Sequence, residues 1–463
     1  RRVLFRSYTD SFIPDLAADR FGILTMERLD AKNLLFESGE EEVPDEPVPS
    51  ESAEPSEEPS QQPVEYGENA MDIDFDSLIA NTTDKTLLSM HKYFSEQPVT
   101  EKNEYTGLWE GKNLIWICAE GFSRYALNET ATPTLCKLAK EGIVCENFYD
   151  PVWSVSTSDG EYVQLTGLLP KSGVRSFART ADKPNLMYFT MGIQLSSLGY
   201  DTRAYHDHTY NYYGRDKSHP NMGYIYKALG NGLDVKKTWP ESDLEMMQLS
   251  IPEYIDNEPF HVYYMTVSGH LNYTFMGNAM AKKNQSVVED LPYSEGPLAY
   301  LACNHEFDSA LAYLLDQLDQ AGELENTAIV IAGDHYPYGL TLDEMEELYG
   351  GQLDETFEMY RSTCILWSGD MADQDPIVVD KPVSTLDMLP TVSNLMGLEY
   401  DSRLLMGHDI FSDADPLVIF RDRSFITDKG RYSATAKTFT PNEGVEVPEG
   451  YAKSIMSIVN NKF

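Results

Sequence analysis

The sequence predicts an α/β fold, with a mainly parallel central sheet flanked by helices and a small C-terminal antiparallel sheet. Three observations predict it. From Asn113 onward, apolar runs of strand length alternate with segments of helical spacing, the pattern of parallel strands joined by helical crossovers. Several of those runs end in acids and imidazoles, as strands do when their carboxyl ends carry a site. Past residue 400 the runs shorten and turn residues separate them, which is antiparallel patterning.

In chain order, Arg1 to Ser7 (RRVLFRS) resembles the read-through translation of a common sequencing-adapter oligonucleotide. These residues are set aside, and the gene is expected to encode further residues upstream. The first segment, 1–36, spaces apolar residues helically (Phe12, Ile13, Leu16, Phe21, Leu24, Met26, Leu29, Leu34, Leu35), interrupted by Gly22, and predicts a helical arm. Residues 37–73 read as an acidic, disordered linker. About a dozen acids and no base fall between Glu37 and Glu68, and so few apolar residues accompany them that the stretch cannot bury enough surface to fold.

A catalytic domain is expected over 74–400. Its strands are predicted at Asn113–Cys118, Thr202–Tyr205, Phe260–Val267, Thr327–Ala332 and Thr363–Trp367, each a short apolar run. Its helices are predicted at Thr134–Glu141, Met187–Leu198, Cys303–Ala321, Leu342–Leu348 and Thr385–Met396. Over 401–463, the runs Leu417–Phe420, Ser424–Thr427 and Arg431–Ala434, with Lys429-Gly430 as a turn, predict a small appended subdomain.

With 463 residues a sizeable core is assured, and the formal net charge of −40 limits the partners. No basic surface is left to displace counterions from a phosphate backbone, so nucleic acid is excluded. Electrostatic adhesion to an anionic bilayer is disfavoured for the same reason. The five cysteines (Cys118, Cys136, Cys145, Cys303, Cys364) are odd in number and lack C-x-x-C spacing, so buried small hydrophobes are expected rather than disulfides or a zinc ribbon. No apolar run approaches the ~18 residues of a membrane span, and no secretory leader is visible.

The stretch Ser154 to Glu161 (SVSTSDGE) holds the candidate nucleophile, Thr157, where an aromatic loop gives way to a helix start. Ser158 and Glu161 fit a capping box, which would set unpaired N–H groups beside Thr157, an arrangement that attracts phosphate. Taken alone, such a cluster is most often a turn or a cap. The strand ends add to it: NLIWICA leads to Glu120, TAIVIAG to Asp334 and His335, HVYYMTVSG to His270, and DTRAY to His206, Asp207 and His208. Each acid alone reads as a helix cap and each imidazole as a satisfied histidine; their convergence on one sheet edge is what those readings leave unexplained.

Glutamate, aspartate, histidine and a threonine hydroxyl offer oxygen-rich ligation with one nitrogen, which suits manganese best, with magnesium and zinc as the other fits. One such cation would acidify Thr157, a poor nucleophile without help. Arg215, in YNYYGRD, either clamps a phosphate oxygen or pairs on the surface with Asp216. Tyr213 is placed to stack on substrate and His270 to donate to a leaving oxygen.

The motifs ICAEGFS, STSDGE, NYYGRD, TVSGH, AGDHYPYG and STLDMLPTVSNLMGL, in this order between about Tyr105 and Thr427, resemble the lipoteichoic acid synthase family. Those proteins are sulfatase-like phosphoglycerol transferases of the alkaline phosphatase superfamily. The resemblance implies metal ligands at Glu120, Thr157, Asp334 and His335, with Thr157 also the nucleophile. It implies substrate-phosphate contacts from Arg215 and His270, and Tyr213 where the family more often has Trp. His208 falls where better-known members carry an acid that binds glycerol. The implied reaction moves glycerol phosphate from phosphatidylglycerol to a growing polyglycerolphosphate or a glycolipid. The implied setting is the cell membrane, with the catalytic domain on the extracellular face, anchored by an N-terminal helical bundle upstream; the family also often continues past the position of Phe463.

Sulfate ester hydrolysis is disfavoured, because the C/S-x-P-x-R motif that supplies formylglycine is missing around Thr157. A phosphodiesterase or phosphoethanolamine transferase on the same fold shares the expected nucleophile and metal. A non-catalytic wall-polymer-binding domain would be marked by a lost ligand or nucleophile, and all four positions are filled.

Overall fold

Among the described residues, nine strands build the central sheet. The computed structural model describes residues 66–174, 176–177 and 187–463. The helical arm expected over 1–36, and the linker expected over 37–73 as far as residue 65, lie outside the described residues.

The strands are β1 (Asn113–Ala119), β2 (Ile143–Cys145), β4 (Asp201–Thr209), β5 (Ile225–Leu229), β6 (Gly232–Leu233), β7 (Phe260–Met265), β8 (Thr327–Gly333), β9 (Cys364–Ser368) and β10 (Ile377–Val379). Across the sheet they lie in the order β10-β2-β9-β8-β1-β7-β4-β5-β6. β1 lies between β8 and β7, parallel to both, and β7 pairs in parallel with β4. The expectation of a mainly parallel sheet holds; β9 alone runs against its neighbours β8 and β2.

Alternation along β1 explains why every residue of that run is apolar or buried. Ile115, Ile117 and Ala119 face one core while Leu114, Trp116 and Cys118 face the other, so both sides of the strand are covered. The helix Glu295–Ala321 seals the first side with Phe307, Leu311 and Leu314, and the helix Met388–Leu395 seals the second with Leu389 and Val392. Glu295–Ala321 begins eight residues before the expected Cys303, because Pro297 stands in its first turn, where a missing N–H costs nothing. All five cysteines are buried free thiols, as their apolar settings predict.

Two further short strands, β3 (Phe148–Tyr149) and β11 (Val383–Ser384), pair beside the main sheet. The C-terminal antiparallel sheet comprises β12 (Val418–Ile419), β13 (Phe425–Thr427), β14 (Gly430–Ser433) and β15 (Thr438–Pro441), of which the last was not foreseen. It rests on the main body through Tyr149, Phe357, Val418 and Ile426, and the unforeseen helix Tyr451–Lys462 covers it with Val459. Among the described residues, no helix is long and apolar enough to cross a membrane.

Candidate active site and metal centre

β1 and β8 end side by side, with Ala119 opposite Gly333, so Glu120 emerges next to Asp334 and His335. Thr157 arrives from the facing helix, Ser156–Thr166. That helix can lie so close only because position 160 is glycine: a Cβ there would stand 1.9 Å from the Asp334 carbonyl oxygen. All four side chains are buried.

Thr157 Oγ1 is 3.3 Å from Glu120 Oε2 and 3.3 Å from His335 Nε2. His335 Nε2 is in turn 3.3 Å from Glu120 Oε1 and 3.3 Å from Asp334 Oδ2. Donors about 2.0 Å from one centre stand roughly 3.3 Å apart in a tetrahedron, so the spacing fits one shared divalent cation. Asp334 Oδ2 is buried without a hydrogen-bond partner, while its Oδ1 accepts from the Gly121 N–H at 2.8 Å. The His335 Nδ1 lies 2.9 Å from the Tyr336 carbonyl, which fixes a proton on Nδ1 and turns Nε2 toward the other donors.

The charges agree. Burial, then the neighbouring Glu120 carboxylate, pushes Asp334 up to about 8. Burial works against a charged His335, but the carboxylates of Asp334 and Glu120 outweigh it and lift the imidazole to about 10. Burial also opposes ionisation of Glu120, which the hydrogen bond and charge of His335 nonetheless hold at about 2. A dry pocket with two carboxylates demands positive charge, which a divalent cation supplies in full.

The capping box expected of Ser158 and Glu161 does not form. Val155 is the N-cap without a side-chain bond, and Asp159 Oδ2 accepts from the Val155 N–H at 2.9 Å. Ser156 sits at φ 26°, a conformation non-glycine residues seldom adopt, with its Oγ 3.1 Å from the Tyr338 hydroxyl. Glu161 is turned inward because its carboxylate is taken by Arg215: Nε donates at 2.9 Å, and the Tyr263 hydroxyl at 3.2 Å. Burial disfavours its charge, yet the guanidinium holds Glu161 at about 2.

Arg215 is therefore buried rather than paired with Asp216 at the surface. Its Nη1 lies 3.2 Å from His206 Nε2, and its Nη2 is buried with no hydrogen-bond partner among the described residues. His206 is neutral, since burial and then the Arg215 charge push it well below its usual range, and its Nδ1 faces the Met265 carbonyl at 2.9 Å. The Tyr213 ring lies 5.4 Å from the guanidinium. His270 follows β7, with its ring 4.7 Å from that of Trp239. His208, half-buried at the end of β4, meets the buried Glu241 at 3.1 Å.

The sequence named Glu120, Thr157, Asp334 and His335, and the fold brings them together. It did not name Glu161 as the Arg215 anchor, Tyr338 beside Ser156, or Glu241 behind His208. Glu161 was visible only as a cap residue; Glu241 lies in a W-P-E-S loop that carries no spacing signal. The arrangement places a hydroxyl among cation donors, at a helix N-terminus, with an unpartnered guanidinium N–H nearby. Chemically, such an arrangement suits the binding of a tetrahedral anionic group.

The family model described as Sulfatase matches residues 112–398. The chain is 24% identical over 388 residues to the lipoteichoic acid synthase-like YvgJ of Bacillus subtilis, covering 77% of this chain and 61% of that protein. It is 24% identical over 363 residues to a lipoteichoic acid synthase of Staphylococcus saprophyticus, covering 73% of this chain and 54% of that one. It thus spans less than two thirds of the length of these relatives. Among solved structures, the lipoteichoic acid synthase LtaP from Listeria monocytogenes matches with a TM-score of 0.64 at 21% identity, over 84% of this chain and 97% of that one. A protein in the alkaline phosphatase superfamily from Vibrio parahaemolyticus matches at 0.56 and 16% identity, over 84% and 96%. The resemblance to lipoteichoic acid synthases is borne out in both comparisons, and the fold is shared.

Proposed function

The chain belongs to the sulfatase family, and on that footing we propose that it is a phosphoglycerol transferase with Thr157 as nucleophile. The donor is phosphatidylglycerol, the acceptor a hydroxyl of a glycerophosphate polymer or glycolipid, and the place the outer face of the cell membrane. Glu120, Thr157, Asp334 and His335 would hold one divalent cation, with manganese the best match to the donor set. The ion supplies Lewis acidity, which makes the hydroxyl ionisable at neutral pH and offsets phosphoryl charge.

The protein's own groups do the rest. Arg215 Nη2, the buried N–H without a partner, binds a phosphoryl oxygen, and its pair with Glu161 fixes the guanidinium in place. Thr157, its hydroxyl proton given up to solvent, forms the Oγ1 bond to phosphorus as the bond to the diacylglycerol oxygen breaks. His270 Nε2 protonates that departing oxygen, its Nδ1 being engaged by the Leu271 carbonyl at 2.7 Å. In the second half the acceptor hydroxyl returns a proton to His270 and displaces Thr157.

The observation that carries this reading is the hydroxyl held 3.3 Å from two of three cation-type donors. The test is intact-mass spectrometry after incubation with phosphatidylglycerol and manganese. A glycerophosphate adduct on Thr157, absent from Thr157→Ala together with all turnover, is expected. Turnover surviving in Thr157→Ala would overturn the assignment.

A further inference from the structure

Two short stretches of this acidic chain carry no acid. Residues 235–240 hold Lys236, Lys237 and Trp239, and residues 274–288 hold Phe275, Met276, Lys282 and Lys283. The fold sets them side by side, because the Ala279 N–H, at the start of the helix Ala279–Lys283, donates to the Trp239 carbonyl at 2.8 Å. All four lysines are exposed. Lys283 pairs with Glu306 at 2.6 Å, whereas Lys236, Lys237 and Lys282 have no ion pair among the described residues.

Apolar surface stands among those charges. Met276 is 94% exposed, in a loop that Asn278 closes by donating to the His270 and Asn272 carbonyls at 2.9 and 3.2 Å. Trp239 is 43% exposed, and its ring lies 4.7 Å from that of His270. A lone exposed methionine is ordinary on a protein surface. Beside an exposed indole and unpaired lysines it completes a set of interfacial anchors, in which apolar groups enter and ammonium groups stay at the head-group level. Acids stand at the margins: Asp234, the buried Glu241 and Glu289 border the two stretches in sequence. Glu245 and Glu295 turn back to the chain, accepting from the Lys236 and Phe275 N–H groups at 3.1 and 3.4 Å.

We propose that this patch is where the catalytic domain rests on the anionic bilayer that holds its donor. Met276 and Trp239 enter among the head groups, and Lys236, Lys237 and Lys282 lie against their phosphates. The inference rests on the transferase reading. There, the oxygen that His270 protonates belongs to diacylglycerol, whose acyl chains stay in the membrane, so the surface around His270 has to approach the bilayer. The net charge of −40 does not forbid this. Exposed charges act over a Debye length of about 10 Å, so lysines next to the lipid outweigh acids on the far side of the domain. A soluble anionic polymer is the competing occupant; it would be drawn by the lysines and has no use for Met276.

The test has a binding arm and a turnover arm. Binding is read by co-sedimentation with phosphatidylcholine vesicles with and without phosphatidylserine, an anionic lipid that lacks the glycerol head group. Wild-type protein is expected on the phosphatidylserine vesicles. The triple variant Lys236→Gln, Lys237→Gln, Lys282→Gln should bind them about a hundredfold more weakly, about fivefold for each lysine. Met276→Ser should lose about tenfold. Turnover is read with manganese on phosphatidylglycerol in phosphatidylcholine vesicles and on a short-chain phosphatidylglycerol dissolved as monomers. Both variants should lose about tenfold or more on vesicles at limiting lipid and keep the wild-type kcat/KM on the monomer. Undiminished vesicle binding by both variants, or equal losses on the two donors, would overturn the docking surface. So would a triple variant that releases soluble polyglycerolphosphate while Met276→Ser binds vesicles as wild type does, since that marks a polymer site. No turnover of either donor by the wild-type protein, with vesicle binding intact, would sink the transferase reading and leave the docking surface standing.

Discussion

Arg215 and Glu161 meet at 2.9 Å with 1% and 0% of their side chains exposed, and each is the charge that makes the other tolerable. Removing one side of such a pair strands the other in a medium that cannot solvate it. Glu161→Gln is expected to cost about 3–5 kcal/mol in urea unfolding and to lower turnover by releasing Arg215 Nη2 from its position. Unfolding within about 1 kcal/mol of wild type would show that Arg215 finds another anion. The same pair marks the limit of legibility for single residues. Glu120, Asp334 and His335 were readable because each follows an uninterrupted apolar strand, and a polar group there has to be explained. Glu161 was misread because its spacing from Ser158 imitates a cap, and only the three-dimensional approach of Arg215, 54 positions later, reveals the competing partner.

β4 and the helix Asp243–Ser250 press two carboxyl groups together. Asp243 accepts from the Val267 and Ser268 N–H groups at 2.9 and 3.2 Å, whereas among the described residues no donor reaches either buried Asp207 oxygen. Burial, then the charge of Asp243, pushes Asp207 well above the usual carboxylate range, and burial raises Asp243 to about 6. Both folded-state values exceed those of the unfolded chain, so the native state binds more protons and stability is lost as pH rises through them. Tm is expected to fall by about 2 °C or more between pH 5.5 and 8.0, and Asp207→Asn should flatten that slope while raising Tm at pH 8.0. A slope unchanged in Asp207→Asn would assign the effect elsewhere. Among strands the long buried runs were the legible ones, although the helix Tyr451–Lys462 went unforeseen despite its 12 residues. β1, β7 and β8 are six or seven residues of continuous burial and were foreseen, as was the longest helix. β3, β6 and β11 have two residues each, too few for any period to register.

Across the whole molecule, a net charge of −40 sets self-repulsion against folding, and a cation bound in the folded state alone shifts the balance back. Manganese at about a hundred times its Kd is expected to raise Tm by about 3 °C or more over chelator-treated protein at matched ionic strength. Asp334→Asn should abolish that gain; an equal gain in the variant would mean that surface acids bind the ion. Architecture was legible at this scale because the alternation of strand and helix is a global pattern that survives errors in single elements. Strand order and the reversed β9 were not, since nothing in the local chain specifies which neighbour a strand will choose. The pairing of Ala119 with Gly333 has a further consequence. A ribosome delivers Glu120 and Thr157 early, but His335, at the end of the partner strand, is 178 residues behind Thr157. A nascent chain that has not yet released its second half owns two of the four proposed ligands and no place to put a cation, so on that proposal metal capture follows translation of the domain rather than accompanying it.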